Sequence, residues 1–276
     1  MAYRRILTIQ DISCVGQCSM TVALPILSAC GHETCILPAA VLSTHTGGFG
    51  KPAVTNLTDS MDAIWRHWQR EGIRFDAIYT GYLGSIEAIE TASQIMDALL
   101  APDGKIIVDP AMADHGKLYS GFDSAYAEAM TGLCREADII LPNITEACMM
   151  TGHPYREKYD AAYIAQLMDQ LSRQNHGVIV LTGVSFEPGE TGAMLREKGK
   201  DHYYSHEKIP QSYHGTGDIF ASAFVGACMQ GKTCEEAVRI AADFTALCIH
   251  NTYQDPAHWY GVKFETALPS LIRMLE

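Results

Sequence analysis

No Gly-x-x-x-x-Gly-Lys-Ser/Thr loop is expected in this 276-residue chain, which sets aside the P-loop phosphate cradle. The first apolar segment runs into residues 10–17 without a Gly-x-Gly-x-x-Gly turn, so a nicotinamide dehydrogenase is disfavoured. Basic residues are few: 20 Lys and Arg against 32 Asp and Glu leave a net charge of −12. With no basic run to offset it, neither nucleic acid nor an anionic membrane is expected as a partner. No apolar stretch approaches the length of a membrane span. Residues 6–9 are too short an apolar run for a signal peptide and are cut by Gln10 and Asp11, so the expected location is the cytoplasm. Internal repeats, low-complexity tracts and composition breaks are also missing, which favours one domain over residues 1–276.

What is present describes an ordinary globular chain, with 47% apolar and 19% charged residues, enough to build a core. Nine cysteines are many, but the number is odd, and the pairs Cys14/Cys18 and Cys30/Cys35 lack further metal ligands nearby. Most sit in apolar surroundings such as Ala147-Cys148-Met149 and read as reduced core thiols.

Strands are expected at residues 5–9, 34–37, 77–80, 105–108, 138–141 and 178–181, with a polar turn at 10–17 after the first. Helical periodicity falls at 19–29, 60–71, 86–100, 124–134, 146–151 and 161–174, and Gly31 sits where a helix C-terminus favours glycine. Such alternation implies crossover connections and a mostly parallel sheet covered on both faces. The rhythm then changes to a hairpin at 191–196 and 201–206, followed by helices at 218–229, 234–251 and 264–275. Ligands of such sheets bind beyond the C-terminal strand ends. The residues there are Asp11, Gly81-Tyr82, Asp109-Pro110, Pro142-Asn143 and Thr182-Gly183.

Residues 214–224, His-Gly-Thr-Gly-Asp-Ile-Phe-Ala-Ser-Ala-Phe, are the most informative stretch. Two glycines allow close backbone approach, and the free N–H groups of the helix that follows suit a phosphate. Asp218 beside such a site is placed to take a proton from an attacking hydroxyl, the competing reading being an ordinary capping turn. Phosphoryl transfer also calls for magnesium, which needs only one or two carboxylates, and Asp109, Asp114 and Glu146 are the choices at strand ends. For Glu146 the competing reading is structural, as a first-turn acid of a helix capped by Asn143 or Thr145.

The 214–224 stretch resembles the Gly-Thr-Gly-Asp anion hole of the ribokinase-like kinases, and Pro142-Asn143-x-x-Glu146 resembles their magnesium-associated motif. Within that superfamily the chain is most similar to the pyridoxal (vitamin B6) kinases, along essentially its whole length. Ser43-Thr44-His45-Thr46-Gly47 is similar to their Ser-Asn-His-Thr segment, and Thr80-Gly81-Tyr82-Leu83-Gly84-Ser85 and Asp109-Pro110-x-Met112-x-Asp114 match in order and spacing. The resemblance implies a three-layer α/β/α sandwich and an ATP-dependent kinase acting on the 5′-hydroxymethyl group of a B6 vitamer. It implies Asp218 as base, Gly215, Thr216 and Gly217 as anion hole, and Glu146 on magnesium with Asp109 and Asp114 nearby. It further implies Asn143 and Thr182 near ATP, and Thr46 and Tyr82 at the pyridine ring. Homodimers, and a response to potassium, are common in the family.

One departure stands out. Gln10-Asp11-Ile12-Ser13-Cys14-Val15-Gly16 aligns with a family stretch that usually reads Gln-Ser-His-Val-Val-Tyr-Gly. A carboxylate in an enclosed pocket calls for a positive partner. Asp11 therefore predicts a preference for pyridoxamine, whose aminomethyl group is a cation; the alternative is a hydrogen bond to the ring hydroxyl or a neighbouring N–H. Hydroxymethylpyrimidine kinases of thiamine synthesis also resemble this fold and often carry an aspartate there, but continue into a Gly-rich stretch that residues 13–17 do not reproduce. A non-catalytic vitamer-binding protein is the third reading, and the presence of both Asp218 and Glu146 speaks against it. His45 is expected to order its loop. His67, Trp68, His258, Trp259 and Tyr260 are expected at the surface or in packing.

Overall fold

The computed structural model describes residues 3–276. In chain order the elements are β1 (Arg5–Ser13), α1 (Met20–Ala29), β2 (Glu33–Leu42), β3 (Val54–Asn56), α2 (Thr58–Arg70), β4 (Phe75–Thr80), α3 (Ile86–Leu99) and β5 (Leu100–Val108). There follow β6 (Ala113–Asp114), β7 (Lys117–Leu118), α4 (Ser124–Glu136), β8 (Ile139–Ile140), α5 (Ile144–Thr151), α6 (Ala161–Gln174) and β9 (Val178–Val184). The chain ends with β10 (Glu190–Glu197), β11 (Lys200–Glu207), α7 (Thr216–Met229), α8 (Cys234–His250), a 3₁₀ turn (Phe264–Thr266) and α9 (Leu268–Leu275).

Nine strands form one sheet in the order β11-β10-β9-β8-β5-β4-β1-β2-β3. The run from β9 to β2 is parallel, while β3, β10 and β11 are antiparallel at its edges. The period-2 alternation of strands divides the core in two. Leu7, Ile9, Ile78, Val108, Ile140 and Leu181 face the layer of α2 to α6, and Ile6, Ala77, Ile107, Leu141 and Val180 face α1, α7 and α8. The expected α/β/α sandwich with a mostly parallel sheet is the fold observed. Among the described residues no helix is long and apolar enough to cross a membrane.

Four expectations need correction. Residues 10–13 continue β1 instead of forming a turn: Gln10, Asp11 and Ser13 are polar but buried, because the strand end runs into the site. The last helix begins at Leu268, after a 3₁₀ turn, with Pro269 near its start. Cys14 is exposed, although five of the nine free cysteines are buried as expected. The Gly-x-x-x-x-Gly-Lys-Thr spacing does occur, at residues 226–233, but Gly226 lies inside α7 and Thr233 caps α8. No strand precedes it, so the match carries no phosphate cradle.

Candidate active site

The turn before α7 has a backbone that only glycine fits. Gly215 occupies the helix N-cap in the left-handed conformation, φ 81°, and a Cβ there would meet Gln17 O at 1.8 Å. Both constraints select glycine. No side chain caps this helix end, so its first N–H groups stay available to a ligand. Thr216 and Gly217 open the helix and Asp218 follows, on the edge where β1, β4 and β5 end. Asp218 is not the cap, so the capping reading does not account for it.

Burial raises the Asp218 pKa to about 7, with the nearby Asp11 adding to the shift and an N–H of Ser19 opposing it. Asp109, at the end of β5, is 9% exposed and its carboxylate accepts no hydrogen bond from a described residue. Its pKa is pushed well above the carboxylate range by burial and by Glu146 and Asp218. Glu146 is 2% exposed and raised to about 8 by burial, against the pull of three N–H donors. One of its oxygens accepts from Met112 (3.1 Å) and Ala113 (3.4 Å), the other from Asn143 (2.8 Å). The last bond closes a capping box on α5, with Asn143 as the cap. The structural reading of Glu146 is thus correct, and its buried charge also raises Asp109.

Asn143 is similarly committed, donating to Ala113 O at 2.8 Å and accepting from Glu146 N at 2.9 Å. It pairs along the strand direction with Thr182, whose hydroxyl donates to Pro142 O at 3.4 Å. Asp114 is exposed; its carboxylate accepts the His115 N–H, lies 3.5 Å from that imidazole and adds to the upward shift of Glu146. Among the described residues no three His, Cys, Asp or Glu side chains form a ready-made metal cage.

On the other side lies an aromatic and hydroxyl-lined recess. Asp11 is 3% exposed, accepts from Ser13 Oγ at 3.0 Å and from the Ser19 hydroxyl, and is raised by burial. Its backbone N–H donates to Tyr82 O at 3.1 Å. Tyr82 stacks on Phe122 with centroids 5.2 Å apart, and Phe122 stacks on Tyr126 at 3.6 Å. Thr46 is exposed in a loop ordered by His45, whose Nδ1 accepts the Gly47 N–H at 3.0 Å. His45 also packs against His214 at 4.8 Å, which ties this loop to the anion-site turn.

Sequence reasoning missed Ser19, Phe122, His214 and Tyr119. Tyr119 follows the β6–β7 hairpin, and its pKa is raised by burial and then by Glu146, Asp109, Asp114 and Asp218, so it lies near the acids. The Tyr-x-x-Phe spacing of Tyr119 and Phe122, just before the Asp123 cap of α4, was the available signal.

Residues 51–261 match the family model described as phosphomethylpyrimidine kinase. A structure of pyridoxal kinase from Lactobacillus plantarum is 31% identical, superposes with a TM-score of 0.91, and the match covers 98% of this chain and 97% of that one. A Bacteroides thetaiotaomicron protein described as a phosphomethylpyrimidine kinase, in a crystal form with pyridoxal, is 33% identical with a TM-score of 0.91, covering 97% of this chain and 95% of its own. Pyridoxal kinase PdxY of Granulibacter bethesdensis is 26% identical over 251 residues, 86% of each chain.

Proposed function

The chain belongs to the phosphomethylpyrimidine and pyridoxal kinase family of ribokinase-like enzymes, and from that premise we propose that it transfers the γ-phosphoryl group of ATP to the 5′-hydroxymethyl group of a B6 vitamer. The observation that carries this reading is Asp218, a buried acid with a pKa near 7, at the mouth of an uncapped helix N-terminus. The carboxylate takes the hydroxyl proton as the oxygen attacks the γ-phosphorus. Backbone N–H groups of residues 215–217 hold the developing negative charge. Thr182 and Asn143, at the ends of β9 and β8, border the path of the ATP phosphates. Tyr82 and Thr46 receive the pyridine ring, with Asp11 on its substituents. We read residues 1–276 as one cytoplasmic kinase domain, and the resemblance implies a homodimer that responds to potassium.

Magnesium fits the acids present. An unbonded buried carboxylate at Asp109, flanked by two further acids and by no ion-paired Lys or Arg, suits a divalent cation. Glu146, with its oxygens already bonded to N–H groups, suits an outer position through water, and Asp114 the solvent side. The metal would neutralise charge on the transferring phosphoryl group. Asp109→Asn should raise the magnesium concentration for half-maximal rate by about tenfold, the scale of one lost charge interaction. An unchanged magnesium titration would remove Asp109 from the metal site.

A base with pKa near 7 also sets the pH profile. With the acid form inactive, kcat/KM should fall about tenfold per pH unit below about 7. An acid limb below pH 5 would contradict the assignment. Hydroxymethylpyrimidine phosphorylation is the second reading, favoured by the family model's description and by the aspartate near the end of β1. Assaying ADP release with pyridoxal, pyridoxine, pyridoxamine and hydroxymethylpyrimidine decides between them, and preference for the pyrimidine would overturn the vitamer reading.

A further inference from the structure

Residues 251–263, between α8 and the last 3₁₀ turn, carry His258, Trp259 and Tyr260, to which phosphoryl transfer assigns no role. The segment has no helix or strand but is firmly built. The Asp255 carboxylate accepts the Ala257 N–H at 3.0 Å and meets Lys263 Nζ at 2.6 Å, while its carbonyl accepts the His258 N–H at 3.1 Å. His258 Nε2 donates to Gln17 Oε1 at 2.7 Å, and Gln17 Nε2 donates to Glu265 at 2.8 Å. Gln17 is also the residue against which Gly215 packs. The C-terminal segment and the turn before α7 therefore rest on one residue.

The loop that carries Thr46 is held differently. Its base is anchored beside the end of β1, where the His45 N–H donates to Val15 O at 2.8 Å. Towards the tip, the Gly47 N–H is the only backbone group of residues 46–50 that is hydrogen-bonded to a described residue. Rings from elsewhere in the chain pack on it instead. The His214 imidazole lies against Gly47, where a Cβ would come within 2.6 Å of Nε2. Trp259 lies against Gly48, where a Cβ would come within 2.5 Å of Cζ3. Phe49 then packs on Trp259 and Tyr260, with centroids 4.7 and 5.8 Å apart. Two consecutive glycines thus each seat a ring, and the next residue adds its own to the cluster.

We propose that His214 and Trp259 form a clasp that holds residues 46–50 closed over the vitamer recess, which makes both of them positioning residues for the vitamer. The clasp deepens the kinase reading, in which Thr46 receives the pyridine ring, and rests on that reading for its effect on rate. A loop tip held by packing opens more often when one ring is lost. The vitamer must then close it on binding, so apparent affinity falls with the fraction of molecules whose loop is closed. Once the substrate is bound the loop is in place, and the chemical step proceeds as before.

Chymotrypsin cuts after phenylalanine, so release of Phe49 can be read without any substrate, as a fragment beginning at Gly50. Trp259→Ala and His214→Ala should each speed that cut about threefold to tenfold, the worth of one ring contact. Unchanged cutting in both variants would overturn the clasp. In the kinase assay the same variants should raise KM for the vitamer about threefold to tenfold, while kcat and KM for ATP stay within about twofold. Trp259→Phe and His214→Phe keep a ring and should restore most of the vitamer KM. An unchanged vitamer KM in both alanine variants would overturn the positioning role. So would a fall in kcat that His214→Phe fails to restore, because the imidazole would then take part in the chemistry. Trp259 is 45% exposed, so its loss should leave the chain folded. Should His214→Ala fail to fold, Trp259→Ala carries both measurements. A wild-type protein inactive on every vitamer would remove the kinase reading and leave the cut at Phe49 to decide the clasp.

Discussion

Asp218→Asn should lower kcat by three orders of magnitude or so while leaving ATP and vitamer binding nearly intact. The size follows from general-base catalysis, worth about 10²–10⁴, in a site where no second acid is placed to substitute. On the proposed reading Asp109 and Glu146 serve the metal, and Asp11 is held by Ser13 and Ser19. The same substitution should stabilise the fold. The Asp218 pKa is raised from 3.8 to about 7, so the folded state binds more protons than the unfolded one between those values. Stability therefore falls as pH rises from about 4 to 7, and the cost persists above 7. An isosteric amide removes that cost, by as much as a few kcal/mol, so the melting temperature at pH 8 should rise by several degrees, with no gain at pH 3. Full turnover in the variant would dismiss Asp218 as the base. Lost turnover together with a lower melting temperature at pH 8 would recast it as a structural residue.

That opposition between stability and function explains what could be read in advance. The parallel sheet and its helices were legible because apolar period-2 and 3.6 patterns repeat wherever burial alone decides, as in α6 at Ala161–Gln174. The turn before α7 was legible because only glycine satisfies the backbone at Gly215. The end of β1 was misread because Gln10, Asp11 and Ser13 are polar for the site's sake, and polarity is also what marks a turn. The short strand Val54–Asn56 is wholly exposed, so it carries no burial pattern at all. The stack of Tyr82, Phe122 and Tyr126 joins β4 to α4 across 40 residues of sequence, a contact that no local pattern encodes. Glu146 completes the capping box of α5, and its buried charge also raises Asp109.

Asp11 carries the second large effect, on the choice of vitamer. Four acids border this site, Asp11, Asp109, Glu146 and Asp218, and none of the ion pairs among the described residues reaches any of them. A divalent cation answers Asp109 and Glu146, and the reacting proton answers Asp218. Asp11 has two hydroxyl donors and a backbone N–H but no cation, lies beside Tyr82, and burial raises its pKa. A substrate ammonium would supply the missing charge, and a charge-assisted hydrogen bond is worth about 1.5–3 kcal/mol. The wild type should then favour pyridoxamine over pyridoxal in kcat/KM by about tenfold or more. Asp11→Asn keeps the shape and the ability to accept from Ser13 and Ser19, but loses the charge. It should cut kcat/KM for pyridoxamine by about tenfold to a hundredfold and change pyridoxal by less than about threefold. An unchanged ranking would show that Asp11 serves the ring hydroxyl or the fold instead.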